Sequence, residues 1–230
     1  MFVKKKIVWP VISSLLLANF LFAAQSEPSA KDDSSATVSF TLDFPGSDPE
    51  HYSIAVESSG HARYESSSNG QTYSSSFEIS ASGRDKIFQS ARQAQYFAGK
   101  LDSGNHKLAF TGTKTLSYHD GQRNFTASYD YSTLPPVREL TSQFQAMAGT
   151  LEYGRRLDYE HHYQKLALDE ELKRLQAQAK NNELVEIQSL APALQSIADD
   201  ASVINVVRMR ARDLLAMGNN SSATAKHGGR

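Results

Sequence analysis

The sequence contains no cysteine among its 230 residues. This absence excludes disulfide bonds, thiolate nucleophiles and every metal or iron–sulfur site that depends on cysteine ligands. Any chemistry would therefore rest on His, Asp, Glu, Ser, Tyr or Lys side chains. We expect no cofactor, and no metal site built on cysteine.

The chain also lacks an excess of positive charge. Its 24 Lys and Arg residues face 25 Asp and Glu residues, which gives a formal net charge of −1. Removing residues 1–26 would take away three lysines and leave 21 basic against 25 acidic side chains, a net charge of −4. Because binding to nucleic acid depends on clustered positive charge, we expect no nucleic-acid partner.

Several signatures of enzymes are missing as well. The sequence contains neither the nucleophile elbow G-x-S-x-G nor the phosphate-binding patterns G-x-x-x-x-G-K-[ST] and G-x-G-x-x-G. His119 and Asp120 offer two parts of a catalytic triad, but Asp120-Gly121 is more simply explained as a hairpin turn. No pair of carboxylates is singled out by its spacing, so acid–base catalysis by such a pair stays an open alternative.

The N-terminus has the order of a secretory signal peptide. Three lysines from Lys4 precede an apolar stretch from Ile7 to Ala24, and Ala24-Gln25-Ser26 fits a small-x-small cleavage site. The alternative is an uncleaved anchor, but polar residues dilute a stretch that is already short for a bilayer. We predict a signal peptide over residues 1–26, a flexible lead-in over 27–36, and a periplasmic or secreted mature chain without a transmembrane helix.

Residues 37–134 are predicted to form a β-rich α+β domain. Apolar and polar residues alternate with a period of two from Val38 to Phe44, and again along Tyr52–Ser66, Tyr73–Ile79, Lys107–Thr111, Thr113–His119 and Arg123–Tyr131. Asn69-Gly70 is a strong hairpin signal within this region. One amphipathic helix from about Arg84 to Ala98 is predicted to cover a face of the resulting small antiparallel sheet.

After Pro135-Pro136 the period changes to 3.6, which predicts an all-helical segment of about four helices over residues 135–217. The overall fold class is therefore α+β. Gly149 and Gly154 interrupt the first of these helices, and we interpret them as points where another element crosses closely. Pro192 is expected to interrupt or kink the third helix. Residues 218–230 are predicted to form a disordered tail.

Charged residues in the helical segment recur four positions apart. Glu152 and Arg156, Arg156 and Glu160, and Glu170 and Arg174 each have this spacing, which is typical of a solvated helix face.

The β-rich half is rich in tyrosine, and this suggests a binding surface for a glycan or a peptide. The alternative is ordinary packing in the sheet, because tyrosine is also a good strand former. The candidate binding residues on the predicted strands are Tyr52, Tyr64, Tyr73, Tyr118, Tyr129 and Tyr131.

The densest group of metal-capable side chains lies in the first helix of the helical segment. Asp158 and His162 are four residues apart and share a helix face, whereas adjacent His161 and His162 point about 100° apart. Zinc prefers three or four ligands, so we predict no metal site. Asp158, His161 and His162 are the fallback set.

Two stretches of the sequence resemble known proteins. Residues 49–56 with the sequence PEHYSIAV, then Ser59-Gly60, Tyr64, Arg84 and the pairs Ile87-Phe88 and Tyr96-Phe97, resemble a family of exported bacterial proteins of unknown function. The match covers roughly residues 44–131, and Asp48 stands where many members have a cysteine. With Leu151–Leu157 included, the chain also resembles uncharacterised secreted proteins of soil bacteria. The resemblance implies export and an α+β fold.

These observations favour a non-enzymatic binding or interaction module of the cell envelope, with a protein or glycan as its partner. The alternative is an envelope hydrolase that uses carboxylate and histidine side chains, such as Asp158 and His162.

Overall fold

The computed structural model describes residues 36–104 and 107–227, with side chains described as far as residue 219. The predicted signal peptide and all of the lead-in except Ala36 lie outside these residues. Within them the fold is α+β, as predicted. The strands β1 to β6 are Thr37–Asp43, His51–Glu57, His61–Ser68, Gln71–Glu78, Thr113–His119 and Asn124–Tyr129. The helices α1 to α5 are Ala81–Gln93, Pro135–Tyr163, Leu168–Lys180, Ala191–Asp199 and Asn205–His227.

The strands form one antiparallel sheet in the order β4-β3-β2-β1-β5-β6. Each strand of the sheet centre alternates buried and half-buried residues, so one face is covered and the other faces solvent. The register aligns Phe40 of β1 with Ile54 of β2 and Leu116 of β5, and all three are fully buried. The period-two pattern therefore predicted both the strands and their inward residues.

Two helices cover the sheet, one more than the sequence predicted. Ile87 and Ala91 of α1 are fully buried in the sheet core. The first half of α2 joins the same core, and the ring of Phe144 stacks on Phe40 with centroids 5.3 Å apart and an interplanar angle of 4°. The apolar stripe of α2 thus covers the sheet before the helix leaves it.

The second half of α2 belongs to a separate hydrophobic cluster with α3, α4 and α5. Leu157 of α2, Leu172 of α3, Ile197 of α4 and Ala211 of α5 are fully buried there. Because α2 runs unbroken through both clusters, it joins the sheet to the helical segment, and the described residues all lie in one compact unit.

A polar contact also joins the helical segment to the N-terminus of α1, the helix that covers the sheet. The Glu186 carboxylate accepts hydrogen bonds from the backbone N–H and the hydroxyl of Ser80, both at 2.8 Å. Ser80 is the N-cap of α1, which therefore begins three residues earlier than predicted. Gly83 lies inside this helix, at a position where a Cβ would collide with the Glu186 carboxylate.

The structure differs from the sequence predictions in three further local features. Residues 107–111 form no strand. Pro192 does not interrupt a helix but lies in the first turn of α4, where its missing N–H costs nothing. Gly149 is exposed and has no atom within 4 Å of an added Cβ, so it marks no close crossing.

The helix α5 continues through Gly218 to His227, into residues that the sequence predicted as a tail. Gly218 lies inside the helix, and a Cβ there would lie 3.3 Å from the Cα of Gln188. The glycine lets α5 approach the backbone of the 3-10 turn Ile187–Leu190. Residues 228–230 lie outside the described part of the chain.

None of the helices in the described ranges combines the length and the apolar character needed to cross a membrane.

Candidate functional site

The six candidate tyrosines do not form an exposed row. The register places Tyr52, Tyr64, Tyr118 and Tyr129 on the covered face of the sheet, where all four are buried. Their rings fill the core, because the helices α1 and α2 cover the face to which the strands point them. Burial raises the pKa of Tyr129 to about 12, so its hydroxyl stays protonated.

The two accessible members of the set lie apart. Tyr131 is 41% exposed and lies at a cleft with Leu108 and Phe110. Tyr73 of β4 is half-buried and faces the C-terminal part of α2. Binding by these two residues stays a prediction, and only Tyr73 lies among other candidate residues.

A buried carboxylate organises the region between β3 and α2. Glu152 of α2 accepts hydrogen bonds from the Tyr64 hydroxyl at 2.5 Å and from the Ser66 hydroxyl at 2.9 Å. Arg155, one turn further along α2, donates from its Nε to the other Glu152 oxygen at 2.5 Å. The charge of Glu152 is thereby compensated and hydrogen-bonded, as a buried carboxylate requires.

Arg155 extends this network to the loop between β1 and β2. Its second guanidinium nitrogen lies 3.5 Å from the carboxylate of Asp48. Burial and the Glu152 carboxylate raise the pKa of the Tyr64 hydroxyl, so the tyrosine is the donor in this network. The result is a fixed arrangement of Tyr64, Ser66 and Arg155 around Glu152.

A groove of about 410 Å³ lies beside this network, between the β3–β4 hairpin and the C-terminal part of α2. The hairpin supplies Ser66, Ser68, Gln71, Thr72 and Tyr73. The helix supplies Arg155, Asp158, Tyr159, His162 and Tyr163. These five helical residues are spaced i, i+3, i+4, i+7 and i+8, so they share one face of α2.

The floor of the groove contains a half-buried carboxyl group. Asp158 accepts a hydrogen bond from the Tyr73 hydroxyl at 3.3 Å. Burial raises the pKa of Asp158 above the ordinary range of an aspartate. Burial and the neighbouring Asp158 also raise the pKa of Tyr73 to about 12. Tyr73 therefore donates a proton to the hydrogen bond and does not ionise at neutral pH.

The rim of the groove is aromatic. Tyr159 is 49% exposed and Tyr163 is 75% exposed, and their ring centroids lie 5.1 Å apart. The imidazole of His162 lies 6.0 Å from the Tyr163 ring and contacts the carbonyl oxygen of Asp158 through its Nδ1 at 2.8 Å. These contacts hold the three rings next to one another at the end of α2.

The fallback metal ligands are not brought together. The Nε2 of His161 lies 2.9 Å from a carboxylate oxygen of Asp200, on the side of α2 that faces the α4–α5 connection. His162 instead faces the groove with Asp158. Across the part of the chain that the structure describes, no group of three His, Asp or Glu residues is arranged to hold a metal ion.

The predicted charge pairs along α2 also differ from the observed ones. Glu152 pairs with Arg155, and Arg156 pairs with the buried Glu171 of α3 at 2.5 Å. The four-residue spacing suggested a solvated face, but tertiary partners override it. Asp120 belongs to the predicted turn, since it accepts from the backbone N–H of Arg123 at 2.7 Å, and His119 is the last residue of β5.

A neighbouring groove of about 470 Å³ lies on the other side of Glu152 and contains Asp48 and Tyr153. The Arg156 guanidinium covers one face of the Tyr153 ring at 4.4 Å, and Tyr153 is itself buried, so it is little exposed to a ligand in this groove. The groove with the aromatic rim is therefore the stronger candidate.

Sequence reasoning identified Tyr73, Asp158 and His162 but missed Arg155, Tyr159 and Tyr163. The available signal was the helix face that these three residues share with Asp158 and His162, at spacings of three and four residues.

The sequence matches no protein-family model and no curated protein.

Proposed function

We propose that this chain is an exported, non-enzymatic binding module of the cell envelope that holds its ligand in the groove between the β3–β4 hairpin and α2. The observation that carries this proposal is the convergence of exposed aromatic rings with polar groups in one cleft. Ligand sites typically combine apolar or aromatic contact area with a few fixed polar groups. Tyr159 and Tyr163 provide the first, and Ser68, Gln71 and Asp158 provide the second.

The state of the charged groups supports binding over catalysis. Arg155 is engaged with Glu152 and Asp48, and Asp158 accepts from Tyr73. A catalytic acid or base must lie within hydrogen-bond reach of the reacting atoms. Arg155 and Asp158 already have partners within the protein, which suits a preformed binding surface.

Export rests on the order of charged, apolar and small residues from Lys4 to Ser26. Intact-mass analysis of protein from the envelope fraction tests this part of the proposal. We expect a chain that begins between Ala24 and Glu27. Recovery of the full-length chain from the cytosol alone would contradict export.

A second candidate function is an envelope hydrolase. It is favoured by one observation, the raised pKa of Asp158 beside His162, because a general acid needs a carboxyl group that keeps its proton. In this alternative Asp158 would donate the proton and His162 would assist it.

One experiment separates the two candidates. The protein is incubated with washed, insoluble envelope material, and both the sedimented protein and the soluble products are measured. A binding module sediments with the envelope and releases no fragments, and Tyr159→Ala with Tyr163→Ala abolishes sedimentation. Phe125→Ala, which removes an exposed ring on β6 at the opposite edge of the sheet, is the matched control and retains it.

A release of soluble fragments that Asp158→Asn abolishes would instead establish the hydrolase. Sedimentation that is equal for the double variant and the parent would show that the groove is not the binding site.

A further inference from the structure

We infer that the groove between the β3–β4 hairpin and α2 takes a neutral oligosaccharide. This inference rests on the proposed binding function and specifies its ligand class. It follows from three features of the groove: the chemistry of its lining, the exposure of its rings and the compensation of its charges.

Among the residues that the structure describes, none that lines the groove has an aliphatic side chain. The ten lining residues are hydroxyl-bearing, amide, charged or imidazole side chains, including three tyrosines. Peptides gain much of their affinity from apolar pockets that receive their aliphatic or aromatic anchors. A sugar needs no such pocket, because its hydroxyl groups pair with polar side chains while its ring carbons present C–H bonds.

The exposed rings suit the C–H face of a sugar. The negative face of an aromatic ring attracts the positively polarised C–H bonds that line one side of a pyranose. Tyr159 and Tyr163 project from the end of α2 as adjacent rings, with an angle of 46° between their planes. Tyrosine also loses little side-chain entropy on binding, because only two torsions need to be fixed.

The polar groups opposite the rings supply both donors and acceptors. The hairpin contributes the hydroxyls of Ser68 and Thr72 and the amide of Gln71, and α2 contributes the Asp158 carboxyl group. Hydroxyls and amides both donate and accept, as the hydroxyls of a sugar do. The groove therefore matches a ligand that carries many hydroxyl groups.

The charges around the groove disfavour an anionic ligand. The lining contains one arginine and one aspartate, and the charge of the arginine is compensated from outside the lining. The Arg155 guanidinium is already bound to the Glu152 carboxylate and lies 3.5 Å from Asp48. An anionic polymer would have to compete with those carboxylates for it, and would also approach Asp158.

The test uses the protein labelled with ¹³C at its tyrosine rings, titrated with cellotetraose, chitotetraose and maltotetraose. Signals of Tyr159 and Tyr163 are assigned by their loss in the corresponding phenylalanine variants. At least one tetrasaccharide is expected to shift these two signals saturably, with a Kd on the order of 1 mM or tighter. The Tyr131 signal, from an exposed ring at another cleft, is expected to stay unchanged.

Variants locate the contact. Tyr159→Ala and Tyr163→Ala are each expected to weaken the tetrasaccharide Kd by about threefold or more, as expected for the loss of one aromatic contact. Phe125→Ala, at an exposed ring of β6, is expected to leave the Kd unchanged. Equal affinity in all three variants would overturn the inference.

Tetraalanine serves as the peptide probe and tetragalacturonate as the anionic one. Shifts of the groove signals by either of these, with none by the neutral sugars, would overturn the inference while the proposed binding function stands. The absence of any shift in the groove signals with every probe would also overturn the inference. Failure of the binding function itself is read separately, from the sedimentation of the parent protein with envelope material.

Discussion

Replacement of Glu152 by glutamine tests how the sheet and α2 are held together beside the groove. The substitution keeps the size of the side chain and one acceptor oxygen but removes the charge. In the parent, the carboxylate accepts from Tyr64 at 2.5 Å, from Ser66 at 2.9 Å and from Arg155 at 2.5 Å. The amide nitrogen of glutamine would face a donor at one of these positions.

The cost follows from these three contacts. A hydrogen bond to a charged group contributes about 1.5–3 kcal/mol, and the loss of one member of a buried ion pair costs about 3–5 kcal/mol. The Arg155 side chain is 28% exposed and keeps Asp48 at 3.5 Å, so its desolvation is incomplete. We therefore expect Glu152→Gln to lower the free energy of unfolding by about 2–4 kcal/mol.

Urea unfolding followed by circular dichroism measures this change. Glu139→Gln is the matched control, because the Glu139 carboxylate also lies on α2 and pairs with Lys86 at 3.1 Å on an exposed surface. This control is expected to cost less than about 1 kcal/mol. If the two variants lose the same small amount, Glu152 does not hold α2 to the sheet and the reasoning fails.

Three further outcomes are expected. Gly149→Ala is expected to raise the free energy of unfolding by up to about 1 kcal/mol, because alanine has the better helix propensity. Gly154→Leu is expected to lower it by about 1–3 kcal/mol, because the larger side chain would crowd the neighbours of Gly154. Equal effects of the two variants in denaturant melts would refute the distinction. Burial, with the nearby charge of Glu171, raises the pKa of Glu160, so the contribution of this residue to stability is lost as pH rises above the ordinary value of 4.5. Urea unfolding is therefore expected to show Glu160→Gln gaining stability relative to the parent between pH 4.5 and 7, and a constant difference would refute this reasoning. EDTA is expected to leave the melting temperature unchanged, and a drop of several degrees would restore a metal site.

The strands could be predicted from the sequence because half-burial leaves a period of two in the side chains. Val38, Phe40 and Leu42 all point into the core that their alternation predicted. The same phase places Tyr52 and Tyr64 inward. Which face the helices would cover is a tertiary property, however, so the sequence could not show that this tyrosine-rich face is buried.

The site was harder to predict because it depends on contacts between residues far apart in the chain. Glu152 and Tyr64 are separated by 88 residues, and the sequence offered only local partners for the carboxylate. Gly149 and Gly154 illustrate the same limit. Both cost helix propensity, but only the neighbours in space, Leu190 and Tyr73 at 3.4 Å from an added Cβ, distinguish the packed glycine from the exposed one.

The central claim is that the aromatic rim of the groove, at the end of α2, binds an envelope ligand. The affinity measured by sedimentation with washed envelope material tests this claim most directly. We expect saturable binding by the parent and by Phe125→Ala, with affinity reduced about tenfold or more when Tyr159 and Tyr163 are both replaced by alanine. Equal affinity in the parent and the double variant, with both proteins folded by circular dichroism, would contradict the account.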